Sequence, residues 1–122
     1  MITGWAPEHV VTQVRAADVA ARAARAVPGV VRLQPGVWGL VRQLAAEAFE
    51  QATGQQLPDI AGVQADLDDD GVHLELQIVV DGGYRAGTVG AAVQHAVTAA
   101  VPAAIDRAVT AFTVLIVEIE LP

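Results

Sequence analysis

The chain has 122 residues, 53% hydrophobic and 17% charged, with a formal net charge of −7. That length and balance suit one domain with one buried core and exclude a disordered tail, and the negative charge argues against a phosphate-backbone partner. Cysteine, serine and lysine are all absent, which excludes disulfides, thiolate or serine nucleophiles, Schiff-base chemistry and a Walker-type phosphate loop.

The N-terminal stretch Met1 to Glu8 lacks a basic start followed by an apolar run, so no signal peptide is read there and the expected location is the cytoplasm. Pro7 suits the first turn of a helix, and a helical period runs from there to Val27. Val10, Val14, Ala17, Ala21 and Ala24 form one stripe of it. Arg15, Asp18, Arg22 and Arg25 form another, with Asp18 and Arg22 at a favourable i,i+4 spacing. Pro28-Gly29 ends the helix and Val30–Leu33 is a short strand closed by Pro35-Gly36. The period from Val37 to Thr53 predicts a second helix, although its opening Val37-Trp38-Gly39-Leu40-Val41 also suits a strand. Gly54 would cap the helix and Pro58 block its continuation.

The clearest local signal follows. Gly62 to Leu67 and Val72 to Val80 flank Asp68-Asp69-Asp70-Gly71, and apolar side chains recur at every second residue from Val72 to Val80. That period predicts an antiparallel hairpin with one face on a core and His73, Glu75 and Gln77 on the other. Thr88 is the expected cap of a third helix through Val89, Val93, Val97 and Val101, which Pro102 should kink or end, with a further turn through Ile105 left open. The stretch from Ala86 to Ile105 carries no formal charge. With Gln94, His95, two threonines and Pro102 it reads as too polar to span a bilayer, and as a buried helix. The last strand runs from Ala111 to Leu121. Thr113, Leu115, Val117, Ile119 and Leu121 are expected on one face, with Phe112, Val114 and Ile116 and then Glu118 and Glu120 on the other. Apolar residues on both faces suggest cover on both sides.

Together these elements predict a single α+β domain over residues 1–122, with a possible inserted helix at 37–53. A largely antiparallel sheet of three or four strands carries helices on one face of a two-layer fold. The second apolar face of the last strand invites a mate, and hence a homo-oligomer.

Val19-Ala20, Ala23-Ala24 and Val27-Pro28-Gly29-Val30, with Leu33 after them, resemble the opening motif of the alkaline shock protein family of bacterial envelope stress response proteins. The second half is similar too: Gly71-Val72 before an alternating strand, Gly83-Tyr84, a helix with Val93-Gln94, Val97 and Val101, and the strand from Val109 to Ile119. The likeness covers about two-thirds of the chain by this count of motifs. The chain departs from it at Asp106-Arg107, where the family usually has Thr-Gly, and over Val37 to Pro58. The resemblance implies a non-enzymatic, self-associating cytoplasmic protein without a cofactor. Such a protein serves envelope homeostasis through protein contacts and is held near the membrane by a separate anchored partner rather than by inserting itself.

Candidate chemistry is sparse. Asp66-x-Asp68-x-Asp70-Gly71 matches half a calcium loop, but Gln77 stands where a bidentate carboxylate is needed, so a solvated acidic turn is the better reading. His9, His73 and His95 fall on separate elements without metal-ligand spacing. Glu118 and Glu120 share a strand face and suit a guarded strand end better than acid–base work. The candidate protein-contact residues are Trp5, Trp38, Tyr84 and Phe112, since exposed aromatics anchor interfaces. For Tyr84 burial against the core is the favoured reading, and for Trp38 a core cap weighs equally with a contact anchor. The function expected is that of an interaction or scaffold protein. The alternative is a small-ligand or lipid-binding module with a pocket between helices and sheet.

Overall fold

The structure is a computed structural model and describes residues 7–35 and 39–121. Seven elements follow in chain order: α1 (Pro7–Arg25), β1 (Val30–Leu33), α2 (Gly39–Thr53), β2 (Val63–Leu67), β3 (Val72–Asp81), α3 (Ala86–Ile105) and β4 (Val109–Glu120). The architecture is α+β with a four-stranded open sheet, as the periodicities predict. The segment after Gly39 is a helix, which settles the choice between helix and strand there. Trp5 and Trp38 lie outside the described residues.

β3 is the organising strand. Its alternate residues Val72, Leu74, Leu76, Ile78 and Val80 are all at most 3% exposed and form the floor of the core. Burying side chains of this size stabilises the fold by about 1.5–3 kcal/mol each. One edge of β3 is shared by two antiparallel partners. β2 pairs with its first half, Leu67 opposite Val72 to Val63 opposite Leu76, and β1 pairs with its second half, Leu33 opposite Ile78 to Val30 opposite Val80. Gln77 joins the two halves: its N–H donates to Gly62 O at 2.9 Å and its carbonyl accepts from Gln34 N at 3.0 Å.

The other edge of β3 is taken by β4, which runs parallel to it. Parallel neighbours need a long crossover, and α3 supplies it. α1 and α3 lie on the core face of the sheet. The predicted α1 stripe of Val10, Val14, Ala17, Ala21 and Ala24 is buried, and Ala16 and Ala20 join it because α1 is packed by α3, α2 and the sheet edge together. The predicted Asp18–Arg22 pair forms at 3.1 Å. α2 adds a small satellite core, with Phe49 against Val10 and Val14. Gly54 ends α2 at φ 71°, donating to Glu50 O at 2.8 Å.

The hairpin turn is built by one carboxylate. Asp68 Oδ1 accepts from the N–H groups of Asp70 and Gly71 at 2.8 and 2.9 Å, and Asp68 N donates to Gly71 O at 2.9 Å. Gly71 (φ 154°) is required for a second reason: a Cβ there would collide with Ala108 O, just where β4 enters the sheet.

Two helix readings are corrected. α3 begins at Ala86, before Thr88, and its N-cap is Arg85, which makes no side-chain capping bond. The turn Asp81–Tyr84, closed by Tyr84 N to Asp81 O and Gly83 N to Asp81 Oδ1, delivers Arg85 in extended conformation and fixes that start. α3 is also buried along one stripe only. By length and composition it qualifies as a membrane span, contrary to the sequence reading, and only Val89, Val93, Val97 and Val101 along it are buried. The turn after Pro102 does form, because proline lacks only its own N–H and its carbonyl still accepts from Asp106 N at 3.0 Å.

Candidate interaction surface

β4 has one partner strand among the described residues, so its outer backbone edge is open along its twelve residues. Its first half alternates as predicted. Phe112, Val114 and Ile116 lie opposite Leu74, Leu76 and Ile78 and so face the helices, while Leu115 lies opposite Gln77 on the other face. The alternation then breaks. Between Ile78 and Val79 the register slips so that Ile116 and Glu118 pair with consecutive β3 residues, leaving Val117 as the extra residue of a bulge. Ile119 is thereby moved to the helix side opposite Val80, not onto the face of Leu115 as uninterrupted alternation requires.

The consequence is a strip of apolar side chains in solvent. Leu115, Ile116 and Val117 are each about two-fifths exposed, Ile119 is 51% and Leu121 77%. Ile116 also reaches α3: its Cδ1 is 3.8 Å from where a Cβ would stand on Gly90. α3 thus borders the strip, and none of its twenty residues carries a formal charge. Long apolar edge strands are usually guarded by charge, because an open edge templates pairing.

Glu118 and Glu120 are the charges of β4, and both are bound by one arginine from the far edge of the sheet. Arg32 of β1 donates to Glu118 Oε2 at 2.8 Å and to Glu120 Oε2 at 2.6 Å. Arg32, Val79 and Glu118 are register partners in one row, so the guanidinium stem crosses β3 over Val79. That explains why Val79, on the outer face of the sheet, is fully buried. The hydrogen bond to Glu120 and the charges of both carboxylates outweigh desolvation and hold the Arg32 guanidinium above its ordinary pKa.

The named aromatics divide. Phe112 is half-buried and packs on the main core, so it supports the strip from beneath. Tyr84 is 50% exposed, which corrects the burial reading. Its ring lies across the α1–β1 turn, where a Cβ on Gly29 would stand 2.9 Å from its Cγ. The residues of the strip that sequence reasoning did not single out, Leu115, Ile116 and Ile119, are ordinary strand aliphatics. Only the position of β4 at an edge distinguishes them.

The acidic turn is occupied by its own contacts. Asp68 Oδ1 holds the turn, Asp68 Oδ2 lies 2.6 Å from His73 Nε2, and Arg107 donates to Asp68 O at 3.3 Å. The two backbone N–H groups, with a smaller contribution from His73, hold the Asp68 carboxyl below its ordinary pKa. His9, His73 and His95 stand on α1, β3 and α3, and no group of three His, Asp or Glu among the described residues is arranged to hold a metal ion. Between helices and sheet, Val93, Val97 and Val101 meet Leu76 and Ile78, all fully buried, so that layer is filled with side chains.

The model of the alkaline shock protein 23 family, described as having a cell envelope-related function, matches residues 8–121. No curated protein and no solved structure matches at a significant level.

Proposed function

The chain belongs to the alkaline shock protein 23 family, with its cell envelope-related function, and from that membership we propose that it acts as a non-enzymatic scaffold in envelope homeostasis, through protein–protein contacts at the cytoplasmic face of the membrane. The observation that carries the reading is the apolar strip along β4, with its open backbone edge and its two acids already bound to Arg32. An extended edge of this kind offers main-chain hydrogen bonds and alternate side-chain pockets to another polypeptide. The lack of serine, cysteine and lysine fits a role without covalent catalysis. In this reading the partners are proteins, a membrane-anchored one and further copies of the chain among them, and the chain itself does not insert.

The test is fractionation of native cells expressing wild type or Leu115→Lys at equal levels. The scaffold reading expects wild type in the membrane fraction, release of the variant to the soluble fraction, and no binding of purified wild type to protein-free vesicles. Wild type that remains soluble throughout, or that binds bare vesicles directly, contradicts it.

A further inference from the structure

We propose that the β4 edge is covered by a second copy of this chain, its β4 antiparallel to the first about a two-fold axis perpendicular to the sheet, with the two α3 helices side by side. This rests on the reading of β4 as a protein-contact surface and names the partner.

Three independent features lead there. The first is the edge itself. Its unpaired backbone groups are matched only by another strand, and the exposed aliphatics of β4 recur on any copy brought against it. Self-pairing would normally be opposed by the net charge of −7. Here Glu118 and Glu120 are held by Arg32, and antiparallel pairing about Leu115 sets the two Glu118 side chains about 20 Å apart along the strands, well beyond the roughly 8 Å screening length of physiological salt.

The second feature is α3. A two-fold axis perpendicular to the sheet puts both helix layers on the same face, so the outer side of α3 meets that of its mate. α3 has twenty residues without a formal charge, and His95 is its one titratable side chain. Gly87 and Ala91, both exposed and on the flank of α3 toward Gly90, permit close approach of two helices. The same axis serves both elements: Gly90, about 8 Å toward the N-terminus from the middle of α3, packs at Ile116, about 5 Å beyond the middle of β4 in the matching direction.

The third feature is the charge at the two ends of α3. Arg85 is its N-cap and Asp106 its C-cap. Both signs are wrong for their own helix, since a helix N-terminus favours an anion and a C-terminus a cation. Asp106 moreover adopts the left-handed region, φ 56° and ψ 38°, where glycine is the usual occupant. Among the described residues neither side chain has an ion-pair partner, while the neighbouring Arg107 is engaged on Asp68 O. Antiparallel juxtaposition of two α3 helices reverses the account. Arg85 of one copy meets the C-terminus and Asp106 of the other, and the two-fold makes the contact twice. Local misfits of this kind mark sites whose partner lies elsewhere.

The experiment is size-exclusion chromatography with light scattering across a concentration series, on the full chain. Wild type is expected at twice the 12.6 kDa chain mass as concentration rises. Arg85→Glu alone, or Asp106→Lys alone, turns two attractions into two repulsions and raises the dissociation constant about tenfold. Mixed in equal amounts, the two variants form a heterodimer with both contacts restored, and affinity returns to the wild-type value. Circular dichroism checks that each variant is folded. Because the chain has no cysteine, Leu115→Cys gives an independent readout, a covalent dimer on mild oxidation. A monomer at every concentration overturns the proposal, as does a dimer that the mixture fails to restore or that Leu115→Cys does not cross-link. A monomer that still fractionates with membranes sinks the dimer and leaves the scaffold reading intact. A dimer that never reaches the membrane fraction does the opposite.

Discussion

Gly71 shows how one residue serves two elements. It closes the Asp68 turn, and its missing side chain admits Ala108 O, which accepts from Val72 N at 2.9 Å as β4 joins β3. Gly71→Ala places a Cβ against that carbonyl, and a loss of about 2 kcal/mol or more in urea denaturation is expected. Asp68 sets a pH dependence. Its folded pKa is depressed, so its contribution to stability is present above the unfolded carboxylate value and is lost as pH falls through the lower folded one. The melting temperature of the wild type should therefore fall more steeply below about pH 4 than that of Asp68→Ala, as followed by circular dichroism. The acidic turn was legible in sequence because Asp and Gly chemistry acts over two or three residues. The exposure of Tyr84 was not, since it depends on how the α1–β1 turn at Gly29 passes beneath the ring.

Among the elements, β3 and β4 look alike in sequence and differ in energy. Both alternate and both are rich in Val, Ile and Leu. Leu76 is fully buried and Leu115 is 40% exposed. Leu76→Ala is expected to cost about 2–5 kcal/mol and Leu115→Ala within about 0.5, a contrast that denaturant titration of monomer at low concentration resolves. Periodicity placed Phe112, Val114 and Ile116 on the correct face of β4. It failed beyond Val117, because a bulge answers to the register of the neighbouring strand and leaves no local trace. The same holds for α3. Its valines announced a buried stripe correctly, whereas the width of that stripe was set by what lies beside the helix, which is α1 on one flank and nothing described on the other.

At the scale of the whole molecule, Arg32 ties the two edges of the sheet together, reaching from β1 across β3 to β4. Arg32→Ala uncovers Val79 and leaves Glu118 and Glu120 repelling one another. A lower melting temperature is expected, partly recovered at 1 M salt by screening within roughly 3 Å, and differential scanning calorimetry measures both. The sequence by itself determined most of the helices and strands, the core-facing side of α1, β3 and the first half of β4, and the α+β class. Those properties follow from side-chain period and turn chemistry, which act between near neighbours. Only the tertiary structure decided that β4 runs parallel on an open edge, that an arginine eighty-odd residues away binds both of its acids, and that α3 leaves a charge-free flank bounded by Arg85 and Asp106. Strand order and exposure are products of long-range pairing, and a residue's own neighbours in the chain say little about which other segment will cover it.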